Sequence, residues 1–120
     1  MILLVDDDPV LTQVLGETLK YFGHDVTVAC NGKEAIETYN ELIDNIKVVI
    51  LDMLMPGMDG METYKNLKQI NPHIKVLITS GYGMEDKAKE FSRCGCNDFI
   101  QKPFDIHDLS RKLTSILERP

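Results

Sequence analysis

Apolar residues along this chain fall into two alternating patterns. Short runs rich in Val, Ile and Leu are separated by longer stretches in which apolar positions return every third or fourth residue. The first spacing suits strands and the second helices, so the alternation predicts five βα units around a mostly parallel sheet. The predicted strands cover 2–6, 25–30, 47–52, 75–79 and 98–101. The third is continuously apolar from Val48 to Leu51, as a central strand covered on both faces should be. Asp8 before Pro9 reads as an N-cap with proline at the first helical position, and Leu11, Leu15, Leu19 and Phe22 form an inward stripe ended by Gly23. Asn31 with Glu34 resembles a capping box ahead of an inward set of Ala35, Ile36, Tyr39 and Leu42. A third helix follows a loop rich in Pro and Gly and ends before Pro72. A weakly patterned helix is expected over 84–94, stopped by Gly95. The last opens at Asp105 as N-cap and buries Ile106, Leu109, Leu113 and Ile116.

Charge narrows the partners. Among 120 residues, 19 acidic side chains face 13 basic ones for a net charge of -6, with no basic run, so the footprint of a nucleic-acid binder is missing. The longest apolar runs, 1–5 and 48–51, fall far short of the roughly 18 residues that a bilayer span needs, and no charged leader precedes a long apolar stretch. The expectation is one soluble domain over 1–120, without direct nucleic-acid binding or membrane insertion. Cys30, Cys94 and Cys96 are odd in number and form no C-x-x-C pair, which points to free thiols in a reducing cytoplasm. Cys94 and Cys96, straddling Gly95, read as packing residues, and His24, His73 and His107, which lack ligand spacing, as surface residues.

The chemistry lies in what the strands end on. In an open parallel sheet, ligands bind beyond the carboxyl ends of the strands where the strand order reverses. Here the first strand ends on Asp6, Asp7 and Asp8, the third on Asp52, the fourth on Thr79 and Ser80, and the fifth on Lys102. If the first and third strands are neighbours, three or four carboxylates converge, with a hydroxyl and an ammonium opposite. Crowded carboxylates repel unless a cation sits among them. Mg²⁺ suits such a site, held by one or two carboxylates and phosphate oxygens. A remaining carboxylate can then attack phosphorus while the metal, an ammonium and a hydroxyl hold the equatorial oxygens. Singly, Asp8 reads as a cap, Lys102 as a solvated loop lysine and Ser80 as turn chemistry. Asp52 after four apolar residues resists a structural account, because burying it for structure alone is costly.

The segments Ile-Leu-Leu-Val-Asp-Asp-Asp at 2–8, Val-Ile-Leu-Asp-Met-Leu-Met-Pro-Gly-Met-Asp-Gly at 49–60, Ile-Thr-Ser-Gly at 78–81 and Lys-Pro-Phe at 102–104 resemble the receiver domain of two-component response regulators. The resemblance spans essentially the whole chain. It implies a flavodoxin-like (βα)5 doubly wound fold, a five-stranded parallel sheet of order 2-1-3-4-5 with helices on both faces. It implies Asp52 as phosphoacceptor, Asp6 and Asp7 as the acidic pair that organises Mg²⁺, and the Leu54 backbone carbonyl as a further metal ligand. Ser80 matches the hydroxyl that contacts the phosphoryl group, Lys102 the site's cation and Phe99 the switch aromatic. The Lys102–Pro103 peptide is expected to be cis. Partners implied are a histidine kinase or phosphotransfer domain, with a homodimer through helix 4, strand 5 and helix 5 also among the expected associations. Leu54 and Tyr82 flank the water's approach, which implies slow self-dephosphorylation. The 78–83 and 99–104 segments look most like receivers attached to hybrid sensor histidine kinases.

Two other functions compete. Asp6, Asp8 and Val10 fit the D-x-D-x-[TV] opening of haloacid-dehalogenase-like phosphatases, in which Asp6 would be nucleophile and Asp8 general acid, with Thr79 or Ser80 and Lys102 in later roles. That reading leaves Asp52 and the 55–60 loop without a purpose. A flavin or nucleotide binder would want glycine and hydroxyl residues after the first strand, whereas this chain has three aspartates there, which repel an unescorted phosphate.

Overall fold

The computed structural model describes residues 1–53, 60–81 and 85–119. Its elements run β1 (Ile2–Val5), α1 (Pro9–Tyr21), β2 (Val26–Ala29), α2 (Gly32–Glu41), β3 (Val48–Asp52), α3 (Gly60–Ile70), β4 (Val76–Ser80), α4 (Glu85–Arg93), β5 (Asp98–Gln101) and α5 (Ile106–Glu118). The five strands form one parallel sheet of order β2-β1-β3-β4-β5. This is the doubly wound, flavodoxin-like arrangement expected, with the order reversing between β1 and β3.

Because successive strand residues point to opposite faces, each strand feeds two cores. Leu3, Val5, Val49, Leu51, Val76 and Ile78 pack with Tyr39 of α2, Tyr64 and Leu67 of α3 and Phe91 of α4. Ile2, Leu4, Val48, Ile50, Leu77 and Ile100 pack with Leu15 and Leu19 of α1 and Leu109, Leu113 and Ile116 of α5. β1 and β3 are buried along their whole length. Their unbroken apolar composition follows, since neither face meets water.

The caps follow the sequence with one difference. Asp8 accepts from the N–H groups of Val10 and Leu11, and Asp105 from that of His107. Asn31 accepts from the Glu34 N–H, but the Glu34 carboxylate accepts from Cys30 Sγ at 3.0 Å, so the reciprocal arm of the capping box is diverted. Phe22, expected inward, is 43% exposed. It is the C-cap of α1, beyond the last helical turn, and the chain reverses at Gly23 with φ +93°. β4 runs one residue past its predicted end because Ser80 pairs with Gln101.

α4 is the thinnest attachment. Of its described side chains, Ala88 and Phe91 are buried, and the helix is tied to α3 by a Tyr64 hydroxyl that donates to the Cys94 carbonyl at 3.1 Å. The Tyr64 ring stands edge-on to Phe91 at 5.8 Å. Burial, with Cys96 and Cys94 nearby, pushes the Tyr64 phenol up to about 12. Cys96 packs against the core as expected, whereas Cys94 is exposed. His73 and His107 are exposed and His24 half-buried. No helix among the described residues is long and apolar enough to cross a membrane.

Candidate functional site

The register places the strand ends side by side. Val5 is level with Leu51, so Asp6 lies next to Asp52, and Asp52 is level with Thr79. Asp6, Asp52 and Thr79 each continue the alternation of Leu4, Ile50 and Leu77 and so share the α1/α5 face. Asp6 and Asp52 are buried, 4% and 7% exposed, while Asp7 is exposed. Oxygen atoms of Asp6, Asp7 and Asp52 lie within 4.8 Å of one another. They form the one cluster of metal-ligating side chains among the described residues.

Lys102 enters this cluster from β5. Its ammonium donates to Asp6 Oδ2 at 2.7 Å and stands 3.5 Å from Asp52 Oδ2. Burial pulls the Lys102 pKa down, but the hydrogen bond to Asp6 and the charges of Asp52 and Asp6 outweigh it, so the group is held above its ordinary 10.5. The repulsion expected among the carboxylates is therefore met in this state by the lysine. Asp6 is engaged on both oxygens, since Oδ1 accepts from the Asp8 N–H at 3.0 Å. The Lys102–Pro103 peptide is cis, as expected.

Asp8 is accounted for as the cap of α1. One carboxylate oxygen already accepts from Val10 and Leu11 at 3.0 and 3.1 Å. The phosphatase reading of Asp6 and Asp8 is not favoured, since the cap alone accounts for Asp8 and the reading leaves Asp52 unused.

The two hydroxyls at the end of β4 part company. Ser80 continues the alternation of Val76 and Ile78 toward α4 and lines a cavity of about 380 Å³ with Ala88 and Phe99. Phe99 is 42% exposed at its mouth. Ser80 and Phe99 thus line the same cavity. Thr79, level with Asp52, is 3% exposed and its Oγ1 has no hydrogen-bond partner. An unpaired buried hydroxyl costs about 1–3 kcal/mol. Sequence reasoning named Thr79 only as an alternative to Ser80. The signal was present, because two adjacent hydroxyls in a strand must face opposite sides. Leu54 and Tyr82 lie outside the described residues.

Hard, anionic oxygens in a cluster of this size are the donor set that Mg²⁺ prefers. The residues present fit that ion.

Known proteins resemble this chain in sequence and fold. The family model of the response regulator receiver domain matches residues 2–114. The chain is 36% identical over 104 residues to the chemotaxis protein CheY of Thermotoga maritima, covering 86% of this chain and 85% of that one. It superposes with TM-score 0.95 on a response regulator receiver domain protein from Clostridium thermocellum, at 32% identity, covering 98% of this chain and 94% of the other. It also matches a chain of the CheX–CheY–BeF3–Mg²⁺ complex from Borrelia burgdorferi, with TM-score 0.92, 28% identity and coverage of 98% and 89%. Several curated relatives are much longer, and the chain spans 30%, 26% and 50% of three of them.

Proposed function

This chain belongs to the response regulator receiver domain family of two-component signalling, and from that premise we propose that residues 1–120 form one receiver domain in which Asp52 is the phosphoacceptor. The observation that carries the reading is the ion-paired trio of Asp6, Asp52 and Lys102. A buried carboxylate ends the central strand, and it and a second acid both lie within 4 Å of the Lys102 nitrogen.

Asp6, Asp7 and Asp52 would hold Mg²⁺, joined by the Leu54 carbonyl. The ion, when bound, supplies positive charge to the transferring phosphoryl oxygens. That a related CheY complex was solved with BeF3 and Mg²⁺ supports this assignment. Asp52 attacks phosphorus, the new O–P bond forms as the bond to the donor nitrogen breaks, and the donor imidazole keeps its electron pair. Lys102 neutralises charge beside Asp52, and Ser80 donates its hydroxyl to a phosphoryl oxygen. To do so Ser80 leaves the cavity it shares with Phe99, and the Phe99 ring turns into the vacated space. The surface of α4, β5 and α5 changes shape as a result. The differential interaction needed is a few kcal/mol, as for two-state switches generally.

The domain catalyses only its own phosphorylation and slow dephosphorylation. Its donor is a histidine kinase or phosphotransfer domain, it works in the cytoplasm, and its native context is a hybrid kinase. The experiment that tests the reading is incubation with a small acyl phosphodonor and Mg²⁺, followed by intact mass. One phosphoryl group is expected on the parent and none on Asp52→Asn. A mass gain that persists in the variant overturns the assignment.

A further inference from the structure

Lys102 reaches the acids by crossing a strand. It follows Ile100 by two residues and so shares the α1/α5 face. Its N–H donates to the Ser80 carbonyl at 2.6 Å, which keeps it in register with the end of β4. Its ammonium is nevertheless 2.7 Å from Asp6, which lies beyond β4 and β3 in the sheet order. With strands about 4.8 Å apart, the side chain must pass over β4. By register Gly81, which follows β4 and has no side chain, is level with Lys102, and Thr79, one pleat earlier on the same face, is level with Asp52, so the ammonium, 3.5 Å from Asp52 Oδ2, ends in the row that Thr79 occupies. Thr79 Oγ1 is the buried side-chain atom that lacks a hydrogen-bond partner among the described residues. Valine would fill a strand position of this shape equally well and leave nothing unpaired. No hydrogen bond among the described residues accounts for the hydroxyl.

We propose that Thr79 is a positioning residue for the Asp52 chemistry, its hydroxyl accepting a hydrogen bond from the Lys102 ammonium when that ammonium turns from Asp6 toward a phosphoryl group on Asp52. The inference rests on the phosphoacceptor reading above. An ammonium has three donors. At rest, one is spent on Asp6 at 2.7 Å, and the 3.5 Å separation from Asp52 is at the limit of a hydrogen bond. On turning, the ammonium gives up Asp6 and gains a phosphoryl oxygen, and a neutral acceptor level with Asp52 is what keeps the lysine from swinging back or out to solvent. Ser80 does not fill this place, because it faces the α4 cavity. The two hydroxyls divide the work, with Thr79 acting through the lysine and Ser80 through the phosphoryl group.

The test follows phosphoryl uptake from a small acyl phosphodonor with Mg²⁺ by intact mass, together with thermal midpoints, for the parent, Thr79→Val and Thr79→Ser. The same Thr79→Val change is then made in a Lys102→Ala background. Thr79→Val is expected to label about fivefold more slowly, the rate equivalent of one hydrogen bond, and to melt about 3 °C higher because an orphaned hydroxyl is gone. Thr79→Ser, which keeps the hydroxyl, is expected to label within about twofold of the parent. In the Lys102→Ala background, Thr79→Val is expected to change the rate by less than about twofold, since the group it positions is absent. Labelling of Thr79→Val at the parent rate, or equal slowing in both backgrounds, overturns the proposal. A Thr79→Val midpoint below that of the parent overturns it too, because the hydroxyl would then be paired at rest. A parent protein that never takes up a phosphoryl group is a separate result, and it removes the phosphoacceptor reading along with this one.

Discussion

The two halves of the sheet are built to different standards. β1 and β3 are covered on both faces from end to end and carry Asp6 and Asp52. On the other side, β5 buries only Ile100 and the neighbouring α4 only Ala88 and Phe91 among their described side chains, and an apolar cavity of about 380 Å³ opens between them. The contrast separates two tasks. Carboxylates held against their own repulsion need neighbours that cannot move, whereas an aromatic ring that changes place, as proposed for Phe99, needs room and a low cost for moving. A fold with equally dense packing on both sides would hold the acids as well and transmit nothing.

The comparison breaks most directly by truncation. Leu51→Ala, in the dense half and fully buried, is expected to cost about 3–4 kcal/mol in urea unfolding, while Phe99→Ala should cost less than about 0.5 kcal/mol. Similar losses for the two would remove the distinction. The next effect lies at the seam, where Tyr64 of α3 holds the end of α4. Its folded pKa of about 12 stands above the ordinary 10.0, so the stability it contributes is complete below pH 10 and is lost as pH rises toward 12. The loss over that window is up to about 2–3 kcal/mol, and Tyr64→Phe should flatten it in alkaline unfolding curves.

Within the acidic cluster, Asp7→Ala is expected to weaken Mg²⁺ binding about tenfold by calorimetry. Asp8→Ala should leave Mg²⁺ affinity nearly unchanged and instead cost about 1 kcal/mol of stability through the lost cap. Equal affinities would erase the division between the two residues. The smallest effect is spectroscopic. Phosphorylated and free protein should differ in amide chemical shifts around Phe99, Ala88 and Gln101 and hardly at all along 2–5, and a uniform spread of changes would show that the switch is not confined to the thin half.

Much of this was legible in the residues. Val48 to Leu51 announced a central strand because a run apolar at every position has no solvent face, and Asp8 and Asp105 announced helix starts because a carboxylate before a helix satisfies N–H groups that have no other partner. Asp6, Asp52 and Lys102 were legible as a set because each stands at the carboxyl end of its strand. What escaped depended on which side of a strand a group falls and what lies across from it. Thr79 and Ser80 look alike in sequence, yet a single step of the pleat sends one toward Asp52 and the other toward α4. Phe22 continued the apolar spacing of α1, but the helix ends before it, and Glu34 met a cysteine where spacing alone suggested a backbone N–H.

Position 60 sets a rule for anyone reshaping this domain by loop grafting. A methyl group at Gly60 would stand 2.6 Å from the carbonyl oxygens of both Asp52 and Met53, and the Gly60 N–H donates to Met53 O at 3.1 Å. Backbone has no rotamer with which to yield, so the site accepts one of the twenty side chains. A transplanted 54–59 segment must therefore leave Gly60 in place and bring the residues on either side of it within hydrogen-bonding reach of one another. A donor loop chosen for its sequence alone would shift Asp52 by way of that residue's own carbonyl.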